Sequence, residues 1–299
     1  MSAPLSVSPR LSSPFPLVNA RPPVSGSHTA RSTPPAAGGG LPHFPHTDGF
    51  DSSEARTAAV HASARTHENY GVRQAVADLD KLSQPHHIGG ENRGLGDAHR
   101  PAFNKDKHAI AQAAIDAARR YFPELSLKDG TRLILADAAL ESTFNPRLNA
   151  GPGPVDPNKT VGLLQARGAS NLADFKRYAS AKGLKHADGS AWNPHQTPVN
   201  DLAKIWENIH VGAWYISTTA RLGATSPNEH FQQGKRGPSP TTVATGLLSH
   251  FESPDGAAEH PHNPGAQRYL RIVGGELNYL EPGSLSRILN TRLDRNRRV

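Results

Sequence analysis

Large apolar side chains are distributed unevenly along this 299-residue chain, and that imbalance decides how much of it can fold. Residues 1–100 are rich in Pro, Ser, Gly, Ala and His and hold few large apolar residues. Such a segment cannot bury enough apolar surface to offset the entropy lost on ordering its backbone. Residues 1–100 are therefore expected to be disordered, with at most a short weak helix between Ser52 and Ser83, where Val60, Val76, Leu79 and Leu82 recur. Residues 101–299 hold all three Trp and most of the Leu and Ile, enough for one compact core.

The apolar positions of that second part recur at helical spacing. A helix is predicted over Lys105–Tyr121, with Ile110, Ala113, Ala114, Ala117 and Tyr121 inward and Pro123 as its stop. A second is predicted over Asp129–Thr143, ended by Asn145-Pro146. Further helices are expected over Asn171–Ala181, Val199–Arg221, Thr241–His250, Pro264–Leu280 and Leu285–Leu293. No strand-like run of useful length occurs, so the fold class is all-α or nearly so. Trp206 and Trp214 fall at i and i+8 in the longest helix and read as core residues.

Several chemistries are excluded or disfavoured. With no cysteine there is no disulfide scaffold, no thiolate nucleophile and no Cys-ligated zinc site. The close pairs His43/His46, His86/His87 and His260/His262 sit beside Pro or Gly and lack the helical i, i+4 spacing of a zinc hydrolase. They read as solvent-facing loop residues, so neither a metal nor another cofactor is expected. The net charge of +7 is spread out, and its one cluster, Arg292, Asp294, Arg295, Arg297 and Arg298, reads as a solvated helix end. No basic–aromatic interleaving points to nucleic acid. No apolar run is long enough to span a membrane. Pro4, Pro9, Pro14 and Pro16 interrupt any hydrophobic stretch that a cleavable signal peptide would need.

Glu141 closes the apolar stretch Leu133-Ile134-Leu135-Ala136-Asp137-Ala138-Ala139-Leu140 and opens Glu141-Ser142-Thr143-Phe144-Asn145-Pro146. A carboxyl on the rim of an apolar helix is poorly solvated and its pKa should rise. Such an acid can protonate a glycosidic oxygen near neutral pH. A negative charge at a helix C-terminus also opposes the macrodipole, which argues for a purpose other than stability.

These residues resemble the soluble lytic transglycosylase and goose-type lysozyme superfamily, a helical lysozyme-like fold. Glu141-Ser142 with Phe144-Asn145-Pro146 is similar to the family's catalytic element, and Gly162-Leu163-Leu164-Gln165 to its Gly-Leu-Met-Gln element, with Leu164 in place of Met. Asn208 with Gly212-Ala213-Trp214-Tyr215 resembles the family's third helix, and Tyr269-Leu270-Arg271-Ile272-Val273 its closing helix. The resemblance implies cleavage of the β-1,4 bond between N-acetylmuramic acid and N-acetylglucosamine in peptidoglycan. It implies Glu141 as a lone acid/base, with assistance from the sugar's own 2-acetamido group and a 1,6-anhydro product. Ser142, Gly162, Gln165 and Tyr215 are the substrate-binding residues it implies, with peptidoglycan strands as partner and a monomer as the expected state.

One departure stands out. Where the family has Ala-Tyr-Asn-Ala-Gly, this chain has Ser249-His250-Phe251-Glu252-Ser253-Pro254, so His250 or Phe251 replaces a tyrosine that would position the glutamate. Glu252 and Asp156 are additional carboxylates that could activate water, which keeps a hydrolytic lysozyme- or chitinase-type reaction open. A non-catalytic module binding glycan or a secretion-machine partner is the other alternative. No Asp or Glu precedes Asp48, and the Ser/Pro/Arg-rich start resembles the acid-poor export signals of bacterial type III secretion. An organelle transit peptide and a plain linker remain open beside it. A secreted or periplasmic location, without a cleavable signal peptide, is the expectation.

Overall fold

The computed structural model describes residues 70–151, 155–193, 199–225, 227, 237 and 239–297. Over these residues the chain is mostly helical. The helices are α1 (Val72–Ser83), α2 (Arg100–Tyr121), α3 (Leu127–Ser142), α4 (Ala173–Ala181), α5 (Ile205–Leu222), α6 (Val243–Phe251), α7 (Pro254–Glu259), α8 (Pro264–Leu280) and α9 (Ser284–Leu289). Two small antiparallel hairpins join them, β1 (His86–Ile88) with β2 (Glu91–Arg93), and β3 (Thr160–Val161) with β4 (Ala166–Arg167). No helix among the described residues is long and apolar enough to cross a membrane.

Helix α3 is the centre. Ser126 caps it by accepting from the Asp129 N–H at 3.1 Å. Leu133, Ile134, Leu135, Ala136, Ala138 and Ala139 are all buried, on every side of the helix. Helices α1, α2, α8 and α9 pack around it, and α5 lies against α2 and α6. The last turn of α3 ends sharply because Thr143 and Phe144 both take positive φ, 49° and 61°. That conformation is costly for β-branched and bulky residues. Burial of Phe144 against Phe103, ring centroids 5.4 Å apart, offsets it.

The folded part starts earlier than residue 101. The expected disorder of residues 1–100 is corrected from Tyr70 onward, and the rest of that expectation, with the export segment and His43/His46, lies outside the described residues. Helix α1 buries Ala75, Leu79 and Leu82, and its Asp78 accepts from Tyr70 Oη at 2.7 Å and from both ends of the Arg132 guanidinium at 2.7 and 3.0 Å. The Gly89-Gly90 turn, at φ 61° and 90°, closes the first hairpin, as two-residue hairpin turns require. This hairpin turns His86 inward, against the expectation of a solvent-facing loop. Its ring stacks on Tyr279 at 4.2 Å and its Nε2 meets Glu276 Oε2 at 2.8 Å. His87, His260 and His262 are exposed.

Other differences are local. The helix predicted over Val199–Arg221 divides into a 3-10 turn, Val199–Ala203, and α5. Helix α7 was not predicted, although Ser253 caps it and Pro254 opens it. The basic C-terminal stretch is no helix end. Leu293 N donates to Thr241 O at 2.7 Å and Val243 N to Thr291 O at 3.1 Å, so this stretch pairs with the lead-in to α6. Trp214 is core, as expected, while Trp206 is half-buried and stacks on His210 at 3.7 Å.

If α1 belongs to the core, Leu79→Ala should cost about 2–5 kcal/mol, as for other fully buried leucines. Urea unfolding of the full chain measures this, and a loss below about 0.5 kcal/mol would place α1 outside the cooperative unit.

Candidate active site

Glu141 and Asp137 lie one turn apart on α3, on the same side of the helix. Their exposures differ. Asp137 is wholly buried, whereas Glu141 is half-buried and reaches the surface, although its carboxyl is ringed by protein. From α8, the buried Tyr269 hydroxyl donates a short hydrogen bond to Asp137 Oδ1 and lies near enough to Glu141 to favour its carboxylate form. Burial first, then the Asp137 charge, pushes the Glu141 carboxyl up to about 8, against the smaller opposing effect of Tyr269. Burial raises Asp137 as well, opposed by the charge of His250 and by the Tyr269 hydrogen bond. Tyr269 itself is held well above its usual range by burial and both carboxyls, so it keeps its proton.

One hydroxyl proton cannot serve two carboxylates. Tyr269 gives its proton to the hydrogen bond with Asp137 Oδ1, while burial and the Asp137 charge favour the neutral form of Glu141. Of the two residues, only Glu141 is in part exposed.

Helix α6 and the turn after it complete this side. The Phe251 ring stacks on Tyr269 at 4.8 Å while remaining exposed, and His250 meets the edge of Tyr215 at 6.4 Å. Phe251 thus packs on the tyrosine ring that meets Asp137. Glu252 is half-buried and its carboxyl is raised, mainly by burial. Asp156 is exposed and accepts from the Asn158 N–H at 2.9 Å.

The Gly162–Gln165 loop is built by α5. Asn208, fully buried, donates to Val161 O at 2.7 Å and Leu202 O at 2.8 Å and accepts from Leu164 N at 2.8 Å. Gly162 has φ +80°, and a Cβ there would lie 2.4 Å from Asn208 Nδ2 and 2.6 Å from Leu202 O. One turn along α5, Leu164 packs onto Gly212, where a Cβ would meet the Leu164 Cβ at 2.6 Å. Asn208 and Gly212 thus hold Gly162 and Leu164 in register.

Within this loop, Gln165 has φ 44° and its amide is turned inward. Its Oε1 accepts from Asn149 at 2.7 Å and Thr160 at 3.1 Å, and its Nε2 donates to Gly162 O at 2.8 Å. Ser142 is buried and its hydroxyl donates to Ala138 O at 3.0 Å, bracing the last turn of α3. Both side chains are thus engaged in bonds within the protein, Gln165 closing its own loop and Ser142 the end of α3. Tyr215 is buried beside His250, with its hydroxyl raised by burial and by the charge of Asp174.

Sequence reasoning left Asp137 out of the site and treated Tyr269 only as part of a helix. The i, i+4 spacing of Asp137 and Glu141 was the available signal for the first. Tyr269 is 132 residues from Asp137 in sequence, and only the docking of α8 on α3 brings it there. Among the described residues no group of three or more His, Asp or Glu side chains converges as a metal ion would need. Comparison of the chain with protein-family models, with curated proteins and with solved structures gave no match.

Two outcomes are expected. Asn208→Ala leaves buried backbone groups without partners and should cost roughly 2–4 kcal/mol in chemical denaturation. Between the ordinary glutamate value of 4.5 and about 8, the folded protein keeps a proton on Glu141 that the unfolded chain has released. Stability should therefore fall as pH rises through that window, and Glu141→Gln should flatten the decline. Urea midpoints of both proteins across the window provide the check.

Proposed function

We propose that the chain is a peptidoglycan lytic transglycosylase of the lysozyme-like superfamily that its motifs resemble. The observation that carries this reading is the asymmetry of the carboxyl pair: a half-buried Glu141 whose carboxyl is pushed up to about 8, backed by a sealed Asp137. A two-carboxylate glycosidase needs both groups at the substrate. Asp137 cannot reach a sugar, so Glu141 works with the substrate's own groups.

In that reaction the Glu141 acid proton passes to the glycosidic oxygen as its bond to C1 of N-acetylmuramic acid breaks. The 2-acetamido oxygen of the same sugar closes onto C1 and carries the developing charge. The C6 hydroxyl then attacks C1 as the bond from C1 to the acetamido oxygen breaks, and its proton returns to the Glu141 carboxylate, giving the 1,6-anhydro sugar. The raised carboxyl supplies the acid form at neutral pH, and Tyr269 and Phe251 hold it in place. A hydrolytic outcome is favoured by one feature, the half-buried Glu252 beside α7, which could activate water.

Glu141→Gln should reduce digestion of purified cell wall by about 10²–10⁴-fold, the usual contribution of a general acid. Mass spectrometry of the released muropeptides should show a product one water lighter than the hydrolysed sugar. Digestion unchanged by the substitution would remove the enzyme reading, and a hydrolysed product would reassign the second step to water.

A further inference from the structure

Two buried polar atoms behind Glu141 have no hydrogen-bond partner: Asp137 Oδ2 and His250 Nδ1. A buried carboxylate oxygen and a buried imidazole nitrogen are costly when unpaired. They are also chemically complementary, since Nδ1–H is a donor and Oδ2 can only accept while Asp137 is ionised. His250 is near enough for its charge to favour the Asp137 carboxylate. The other oxygen of Asp137 accepts a hydrogen bond from the Tyr269 hydroxyl, and Phe251, the residue after His250, stacks on the Tyr269 ring at 4.8 Å. With Glu141 one turn from Asp137 on α3, the four side chains His250, Asp137, Tyr269 and Glu141 gather where α6, α3 and α8 meet.

We propose that Asp137 and His250 are positioning residues that switch the Tyr269 hydroxyl between the two carboxyls. While Glu141 is an acid, Tyr269 donates to Asp137. When Glu141 has become a carboxylate, His250 Nδ1–H takes over Asp137 through Oδ2, and Tyr269 turns its proton to Glu141.

The step balances without any added reactant. The only proton to leave its heavy atom is that of Glu141, which goes to the departing glycosidic oxygen and is later replaced from the attacking sugar hydroxyl. The Tyr269 and His250 protons reorient and stay on their own atoms. A buried carboxylate created by catalysis would otherwise face the lone pairs of Tyr269, in a setting where unpaired charge is penalised. The inference rests on the reading of Glu141 as acid and then base, and it adds the device that lets one residue do both.

Charged and titratable groups around Glu141 are few. Helix α3 contributes Asp137, α6 His250 and α8 Tyr269 and Glu276. The hairpin contributes Arg93, which bonds Ala139 O at 3.0 Å and Glu276 Oε1 at 3.3 Å, so those two charges largely neutralise each other. Among the described residues, Asp137 is the one acid whose charge raises Glu141.

The test uses the full chain and two readouts. Asp137→Asn keeps an acceptor for Tyr269 but removes the charge. The carboxylic C=O band of Glu141 in infrared difference spectra, identified by its loss in Glu141→Gln, should then titrate about 1–3 pH units lower. The basic limb of the kcat/KM profile on cell wall should move with it. His250→Phe should lower kcat about 10–100-fold with KM unchanged, and His250→Gln, which retains an N–H donor, should recover part of it. In a Tyr269→Phe background, His250→Phe should have no further effect on kcat, because the link through Tyr269 is already cut.

An unmoved Glu141 band in Asp137→Asn overturns the proposal, as do additive losses in the Tyr269/His250 cycle. If Asp137→Asn does not fold, the Tyr269/His250 cycle decides alone. A shifted band in a protein that does not digest wall would keep the buried cluster and remove the enzymatic reading instead.

Discussion

A helix buried on nearly all sides cannot hold a carboxylate without help, and beyond Asp129, which Arg287 pairs near its start, α3 holds two. Asp137 has no route to water, so its charge depends on the groups that α8 and α6 bring to it. Glu141 sits one turn further on, where the helix meets the surface, and carries the penalty of facing that charge. Neither position would be unusual alone. Together they make a carboxyl that stays neutral where an ordinary glutamate would ionise, and the source of that property is the packing of apolar neighbours around α3.

The loop on the other side of the site is governed by hydrogen bonding and close contact. Asn208 has all three of its bonds to backbone or loop groups, and it is wholly buried. A buried amide with every bond made is a strong geometric constraint. It fixes Gly162 in a backbone conformation that glycine alone adopts easily, and Gly212 leaves just the room that Leu164 takes. Gln165 then closes the loop onto itself. The loop therefore presents a formed surface beside α3 and needs no rearrangement to hold its shape.

Much of this architecture could be read from residue order. The spacing of Ile110, Ala113, Ala114, Ala117 and Tyr121 fixed the inward face of α2, and Pro264 with Leu280 marked α8 to the residue. Gly162 and Asn208 stood in two separate motif elements, and the structure joins them. What could not be read depended on contacts distant in sequence. Helix α1 is short and set in a polar stretch, and its burial depends on α2, α3 and the Arg132 guanidinium. His86 looked like a loop residue because Glu276 and Tyr279, which hold it, lie 190 or more residues away. Tyr269 stood in a helix quoted for its resemblance to the family's closing helix, which said nothing of the buried acid that its hydroxyl meets.

The pairing of the C-terminal stretch with the lead-in to α6 bears on how the protein comes into being. A chain leaving the ribosome exposes Asp137 and Glu141 long before Tyr269 and the residues around Leu293 have been made. Until then neither carboxyl has the partners that α8 and α6 bring to it. Thr291 and Leu293, later still in the chain, anchor the segment that leads to His250 and Phe251. The raised carboxyl of Glu141 is thus absent from the nascent chain when α3 emerges and arises only when a helix 132 residues further on docks against it.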